Sequence, residues 1–228
     1  STIFLPEVME RFHDKLENFA AMKVFATHQA AHIEFQSFDF DFARPGGIFP
    51  TRRTAMVEPG HHTLTEMEAF FDLFPERQLA SDLFTIAEDM RIDSRVKHEY
   101  GGIRRPLGRM QQEELVRRPD VRQLPLRNAF VENLVRASLD GTDAILWPRT
   151  RSEPMSRALG ILNALHVEQA TVEDAAEATI VLYEIAMSIP NIFERLAEEQ
   201  WGSVEPMDSG RAMPMDGGGE QGGMASQM

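Results

Sequence analysis

"TVEDAAEATIVLYEIAMSIP", residues 171–190, decides the fold class. Thr171 and Asp174 stand in capping-box spacing, where a threonine hydroxyl accepts from the backbone three residues on and the acid there reaches back. An apolar run, ATIVLYEIAMSI, follows, and Pro190 ends it because proline has no N–H and crowds the preceding turn. The stretch therefore predicts an apolar helix. Working outward, Asn191 predicts the cap of a last helix running through Trp201. Upstream, helical spacing and punctuation predict helices over 153–166, over 125–140 with Pro125 first and Gly141 beyond its end, and over 106–118.

The same signals continue toward the N-terminus. Thr63 with Glu66 opens a helix that stops at Pro75, and Ser81 caps another that ends at Gly101 and Gly102. Pro6 suits a first helical turn, and apolar residues recur at helical spacing from there through Phe35, as one long helix or two short ones broken near Asn18. Between them lies "DFDFARPGGIFP", residues 39–50, whose Asp–Phe alternation allows at most a small hairpin around 36–60. The expected fold is mainly α: a multi-helix globular domain over residues 1–201. Residues 202–228, rich in Gly, Met and acid with nothing to bury, read as a flexible, disordered C-terminal linker. No repeat of 20 to 50 residues is visible, which argues against a solenoid.

The chain has 228 residues, 43% of them apolar, enough for a sizeable core. It has no cysteine, which excludes disulfides and thiolate metal sites and fits a cytoplasmic setting. A net charge of −13 argues against nucleic acid or an anionic membrane as the main partner. The N-terminus carries no signal-peptide pattern and no run long enough to span a bilayer. It also begins without Met, so we expect a piece of a longer protein.

"FATHQAAHIEF", residues 25–35, holds two histidines one helical turn apart. On a helix, Ala21, Val24, Phe25, His28, Ala31, His32 and Phe35 share a face, while Gln29 and Glu34 point elsewhere. An imidazole buried on such a face needs partners for both ring nitrogens, and hydrogen-bond acceptors or a metal ion meet that need equally. His-x-x-x-His is the spacing at which one helix offers two ligands to a single ion, with a third ligand coming from elsewhere, often a carboxylate. In "TIAEDMRID", residues 85–93, Glu88 lies between Phe84 and Ile92 at four-residue steps and is expected to point inward; Asp89 is the reserve candidate.

The expected ligand set is thus His28, His32 and Glu88, for zinc or another divalent ion. The alternative is a purely hydrogen-bonded pair, with Glu88 bound to Arg91 or another arginine. Zinc peptidases place a glutamate after the first histidine to take a proton from metal-bound water. Here that residue is Gln29, an amide that cannot accept it, so no catalytic residue is expected. His61 and His62 follow a Pro-Gly turn and read as solvated. The stretch "RVKHEYGGIRRPLGRM" concentrates positive charge and reads as a solvated helix end or a dock for an acidic partner.

Three stretches, "FATHQAAHIEFQSFDFDF", "FFDLFPERQLASDLFTIAEDMRIDSRVKHEYGGIRR" and "LPLRNAFVENLVRASLDG", carry a family resemblance. The chain resembles, over roughly residues 15–200, the region preceding the von Willebrand factor A domain in bacterial adaptors of MoxR-type AAA+ ATPases. That group includes the Rubisco activase adaptor and the nitric oxide reductase activation protein. The resemblance implies a non-catalytic adaptor for a hexameric ATPase, with a client enzyme complex as second partner, Rubisco favoured over nitric oxide reductase. It also implies a degenerate, zincin-like helix pair at 20–35 and 81–99, kept as scaffold. The client-binding Asp-x-Ser-x-Ser motif of the A domain does not occur in these residues, so the linker would lead toward it. Against this stand a zinc-dependent hydrolase using His28, His32 and Glu88, and a metal-free helical binding module.

Overall fold

The computed structural model describes residues 3–56, 65–139 and 142–208. Among these, the chain forms α1 (Lys15–Glu34), α2 (Glu66–Phe71), α3 (Arg77–Glu99), α4 (Arg104–Arg117), α5 (Leu126–Ser138), α6 (Ser152–Ala164) and α7 (Val172–Ser188). The sheet content is one short antiparallel pairing of β1 (Trp147–Pro148) with β2 (Trp201–Gly202). The fold is mainly α. Among the described residues no helix is long and apolar enough to cross a membrane.

The capping box of Thr171 and Asp174 forms as expected, and α7 is buried on every side from Val172 through Tyr183. A helix buried on every side has no solvent face there, so it sits in the middle, with α3 laid along it and α5 and α6 closing over it. The main core joins α2, α3, α5, α6 and α7, including Phe70, Leu83, Phe130, Trp147, Leu162 and Val181. α3 also serves a second, smaller cluster. Its C-terminal half turns Ile92 and Val96 toward Val24 and Ala31 of α1 and Leu107 of α4. α1 buries only Ala21, Val24 and Ala31. Small side chains remove little apolar surface from water, so the hydrophobic effect holds α1 only weakly.

The beginning of α7 does a second job. Glu173, Asp174 and Glu177 are buried there, and each grips the segment that the Asp–Phe alternation marked as a hairpin. Asp174 accepts from the backbone N–H groups of Gly47, Ile48 and Phe49 as well as from Thr171. Glu173 accepts from Asp41 N–H and Arg44. Glu177 accepts from Arg52 N–H and from the fully buried Arg53, whose guanidinium also donates to the carbonyls of Phe42 and Arg44. The described part of 36–60 is thus a loop held by carboxylates, with no strand. A Cβ on Gly46 would lie 2.3 Å from Asp174 Oδ1, which explains the Pro-Gly-Gly turn.

Several helix ends differ from expectation. Residues 6–14 are not helical: Asp14 caps α1 by accepting from Glu17 N–H, and the Asn18 side chain folds the preceding chain back through Phe12. α2 is capped by Thr65 with Glu68, the second of two overlapping T-x-x-E patterns; Thr63 lies outside the described residues. α3 begins at Arg77, just after Pro75, leaving Ser81 inside it. Residues 191–201 form no α-helix; a 3₁₀ turn over Glu198–Gln200 leads into β2, which brings Trp201 against the core beside β1. His61, His62, Gly141 and the linker from residue 209 onward lie outside the described residues.

Asp174→Ala strands three loop N–H groups away from their acceptor, and we expect a loss of about 3 kcal/mol or more in folding stability, read from urea denaturation.

Candidate metal centre

α1 and α3 run antiparallel where they touch, so His28 meets Asp93, His32 meets Asp89, and Ser37 beyond the end of α1 meets Glu88. Both histidines are half-buried, with side chains 24% and 15% exposed. Each ring has one nitrogen tied down. His28 Nδ1 lies 2.9 Å from Asp93 Oδ1. A carboxylate only accepts, so this nitrogen carries the proton. His32 Nδ1 lies 2.9 Å from Ser37 Oγ, whose own hydroxyl donates to Glu88 Oε1 at 2.5 Å. With its proton used there, Ser37 must accept from His32 Nδ1–H.

The consequence is that both Nε2 atoms turn their lone pairs to the same point, 3.1 Å apart. Two bare lone pairs at that distance repel unless a proton or a cation lies between them. Asp89 Oδ1 completes a triangle, 3.5 Å from His32 Nε2 and 3.7 Å from His28 Nε2. The circle through these three atoms has a radius of about 2.0 Å, the length of zinc–nitrogen and zinc–oxygen bonds, so an ion near its centre reaches all three. His28, His32 and Asp89 therefore form a group that could hold a metal ion.

The carboxylate differs from the one expected. Glu88 points inward, as its spacing predicts, but toward Arg91, which donates to both of its oxygens from Nε at 2.8 Å and from a terminal nitrogen at 2.5 Å. Arg91 also reaches the Phe35 and Ala170 carbonyls. Glu88 thus supports His32 from behind, through Ser37. Asp89, one residue on and about 100° round the helix, faces α1. Asp93, in the same acidic row of the helix as Asp89, anchors His28, and its second oxygen accepts from the buried Gln111. A carboxylate one turn beyond Asp89 was the available signal for it.

The placement of Ser37 depends on how α1 ends. Ser37 N–H bonds the His32 carbonyl and Gln36 N–H the Ile33 carbonyl, the paired bonds of a Schellman turn. Gln36 sits in the left-handed region at φ 63, where glycine is usual. This turn brings the serine hydroxyl back over the histidine it anchors.

With no ion bound, a proton can lie at this point. Burial disfavours a charged His28 ring, but hydrogen bonds and attraction from Asp89 and Asp93 outweigh it and push its pKa up to about 10. Burial likewise opposes the Asp89 carboxylate, yet His28 and His32 hold it down at about 2.

No protein-family model, curated protein or solved structure matches this chain.

Two expectations follow. The raised His28 pKa stabilises the ion-free protein fully below its ordinary value of 6.5, and this contribution fades as pH climbs through about 10. The lowered Asp89 pKa contributes above 3.8 and is lost as pH falls toward 2. Urea midpoints measured in chelator should therefore decline between pH 6.5 and 10, and His28→Gln should flatten that decline. Separately, Ser37→Ala frees the His32 ring, and divalent-ion affinity by calorimetry should drop roughly 10- to 100-fold, the usual effect of removing such a support.

Proposed function

We propose that this chain is a metal-holding, non-catalytic adaptor domain that works with a MoxR-type AAA+ ATPase to activate a client enzyme complex, Rubisco in preference to nitric oxide reductase. What supports the non-catalytic part is that Gln29 stands where the peptidase glutamate would be and that the carboxylates behind the two histidines are already engaged. Gln29 is an amide. Asp93 is committed to His28 and Gln111, and Glu88 to Arg91 and Ser37. Asp89 itself would be a ligand. With no glutamate beside the first histidine to take a proton from metal-bound water, we read an ion here as serving structure or recognition rather than hydrolysis.

Zinc suits the donor set of two imidazoles and one carboxylate, and the two Nδ1–H anchors match the usual support of zinc-bound histidine. The packing supports a structural role. α1 carries both histidines and buries little else, so an ion shared with α3 would hold it down. The ATPase and client assignments rest on the family resemblance of residues 15–200.

Elemental analysis of the purified chain should find close to one zinc per molecule, and adding zinc to chelated protein should raise the melting temperature as mass action requires. Gln29→Glu should leave peptide hydrolysis undetectable; turnover by that variant would favour the hydrolase reading. The chain should be captured by, or stimulate, a MoxR-type ATPase encoded beside it, and failure of the intact protein in both assays would remove the adaptor assignment.

A further inference from the structure

This inference rests on the metal-holding reading above and concerns what keeps the ligands of that site in place. We infer that Gln111 of α4 is a positioning residue for the ion: it fixes Asp93, and through Asp93 the His28 ring, so that holding an ion and docking α4 are linked.

The middle of α4 has little to hold it. Its ends are tied, at the start by Arg104 to the Lys97 and His98 carbonyls that finish α3, and just past the end by Arg118 to Glu132. Arg109 with Glu17 and Arg11 with Glu114 form pairs at the rim, where solvent leaves ion pairs weak. Between the tied ends, the buried residues of α4 are Leu107 and Gln111. Leu107 joins the small cluster of Val24, Ala31, Ile92 and Val96, and Gln111 lies one turn on along the same face.

An apolar residue would extend that cluster. Gln111 instead brings a buried amide, whose oxygen has no hydrogen-bond partner among the described residues, and burying such a group costs free energy. What the amide does supply is one bond, from Nε2 to Asp93 Oδ2 at 2.9 Å.

That bond reaches the site through Asp93. Oδ1 of Asp93 accepts from His28 Nδ1 at 2.9 Å, so the carboxylate is gripped on one side by α1 and on the other by α4. Held at one oxygen, a carboxylate can swing about its side-chain torsions; held at both, it offers Oδ1 to His28 in one direction. The ring then keeps its proton on Nδ1 and turns its Nε2 lone pair toward Asp89 and His32. The same bonds run in reverse. An ion that draws Nε2 into place fixes Nδ1–H, which fixes Asp93, which holds the buried amide of α4.

The test reads both directions on the full 228-residue chain. Gln111→Met keeps a similar volume and removes the donor, and zinc affinity, measured by competition with a chromophoric chelator, should weaken roughly three- to tenfold, less than loss of a direct support. In an Asp93→Ala background the same change should have no further effect, because the link through which Gln111 acts is already cut. By reciprocity, saturating zinc should slow hydrogen exchange of the α4 amides in the unaltered chain by a similar factor, and Gln111→Met should abolish that gain while α1 keeps its own. If Gln111→Met holds zinc as tightly as the unaltered chain, if its effect persists undiminished without Asp93, or if zinc protects α1 and leaves α4 unchanged, the proposal falls and the metal-holding reading stands. If equilibrium dialysis retains no zinc, both fall together.

Discussion

The buried ion pair of Glu88 and Arg91 is the joint on which the arrangement turns. Both side chains are almost wholly withdrawn from water, and charges so placed are tolerated only when every remaining donor and acceptor is met. Arg91 meets its requirement by holding the Phe35 carbonyl at the end of α1 and the Ala170 carbonyl just before α7. Glu88 meets its own by accepting from Ser37. One residue pair therefore fixes the meeting point of three helices and, through Ser37, the orientation of His32. Replacing both by apolar residues of similar size would cost less than removing either one, since a lone survivor would be a buried unpaired charge.

The acidic composition has a related explanation. A net charge of −13 suggests a solvated negative surface, yet Glu88, Glu132, Glu173, Asp174 and Glu177 are buried. They act as acceptors for arginines and for loop backbone. On α7 three of them lie within five residues and hold the backbone of a loop whose Phe40 and Phe49 enter the core, accepting from N–H groups that an irregular Gly- and Pro-containing segment does not pair within itself. Part of the charge is thus internal scaffolding.

The helical class, the capping box at Thr171 and the histidine pair were all legible, because each depends on residues close in sequence. The inward turn of Glu88 was legible too, since four-residue steps mark a helix face. What that spacing leaves open is which neighbour the face meets. α3 packs against α7 on one side and α1 on another, so inward for Glu88 means Arg91, and Asp89 is the one that reaches the histidines. Ser37 was illegible for a different reason: its position follows from a left-handed turn at Gln36, a residue without the glycine signature of such turns. The segment 39–50 showed its alternation but not its carboxylate partners, which lie more than a hundred positions away. Asn191 followed by apolar residues resembled a capped helix, yet the demand of two tryptophans for the core drew Trp201 into the pairing with β1 instead.

The two histidines stand, with Asp89, where an ion could be held. Their Nδ1 protons are claimed by Asp93 and by Ser37, which leaves the Nε2 atoms facing each other at 3.1 Å. Hydrogen-bonded core histidines could satisfy each other in this way only by sharing a proton, and the carboxylates of Asp89 and Asp93 stabilise that added charge. The same carboxylates would stabilise a metal ion in the proton's place. Competition between the two follows from the geometry: each favours low negative potential being neutralised at one point, and a metal must displace the proton to enter. Binding an ion here exchanges one positive charge for a larger one at the interface of α1 and α3, where apolar contact is sparse. In the proposed metal-holding reading the centre would act as a clamp on α1 whose strength depends on which cation occupies it.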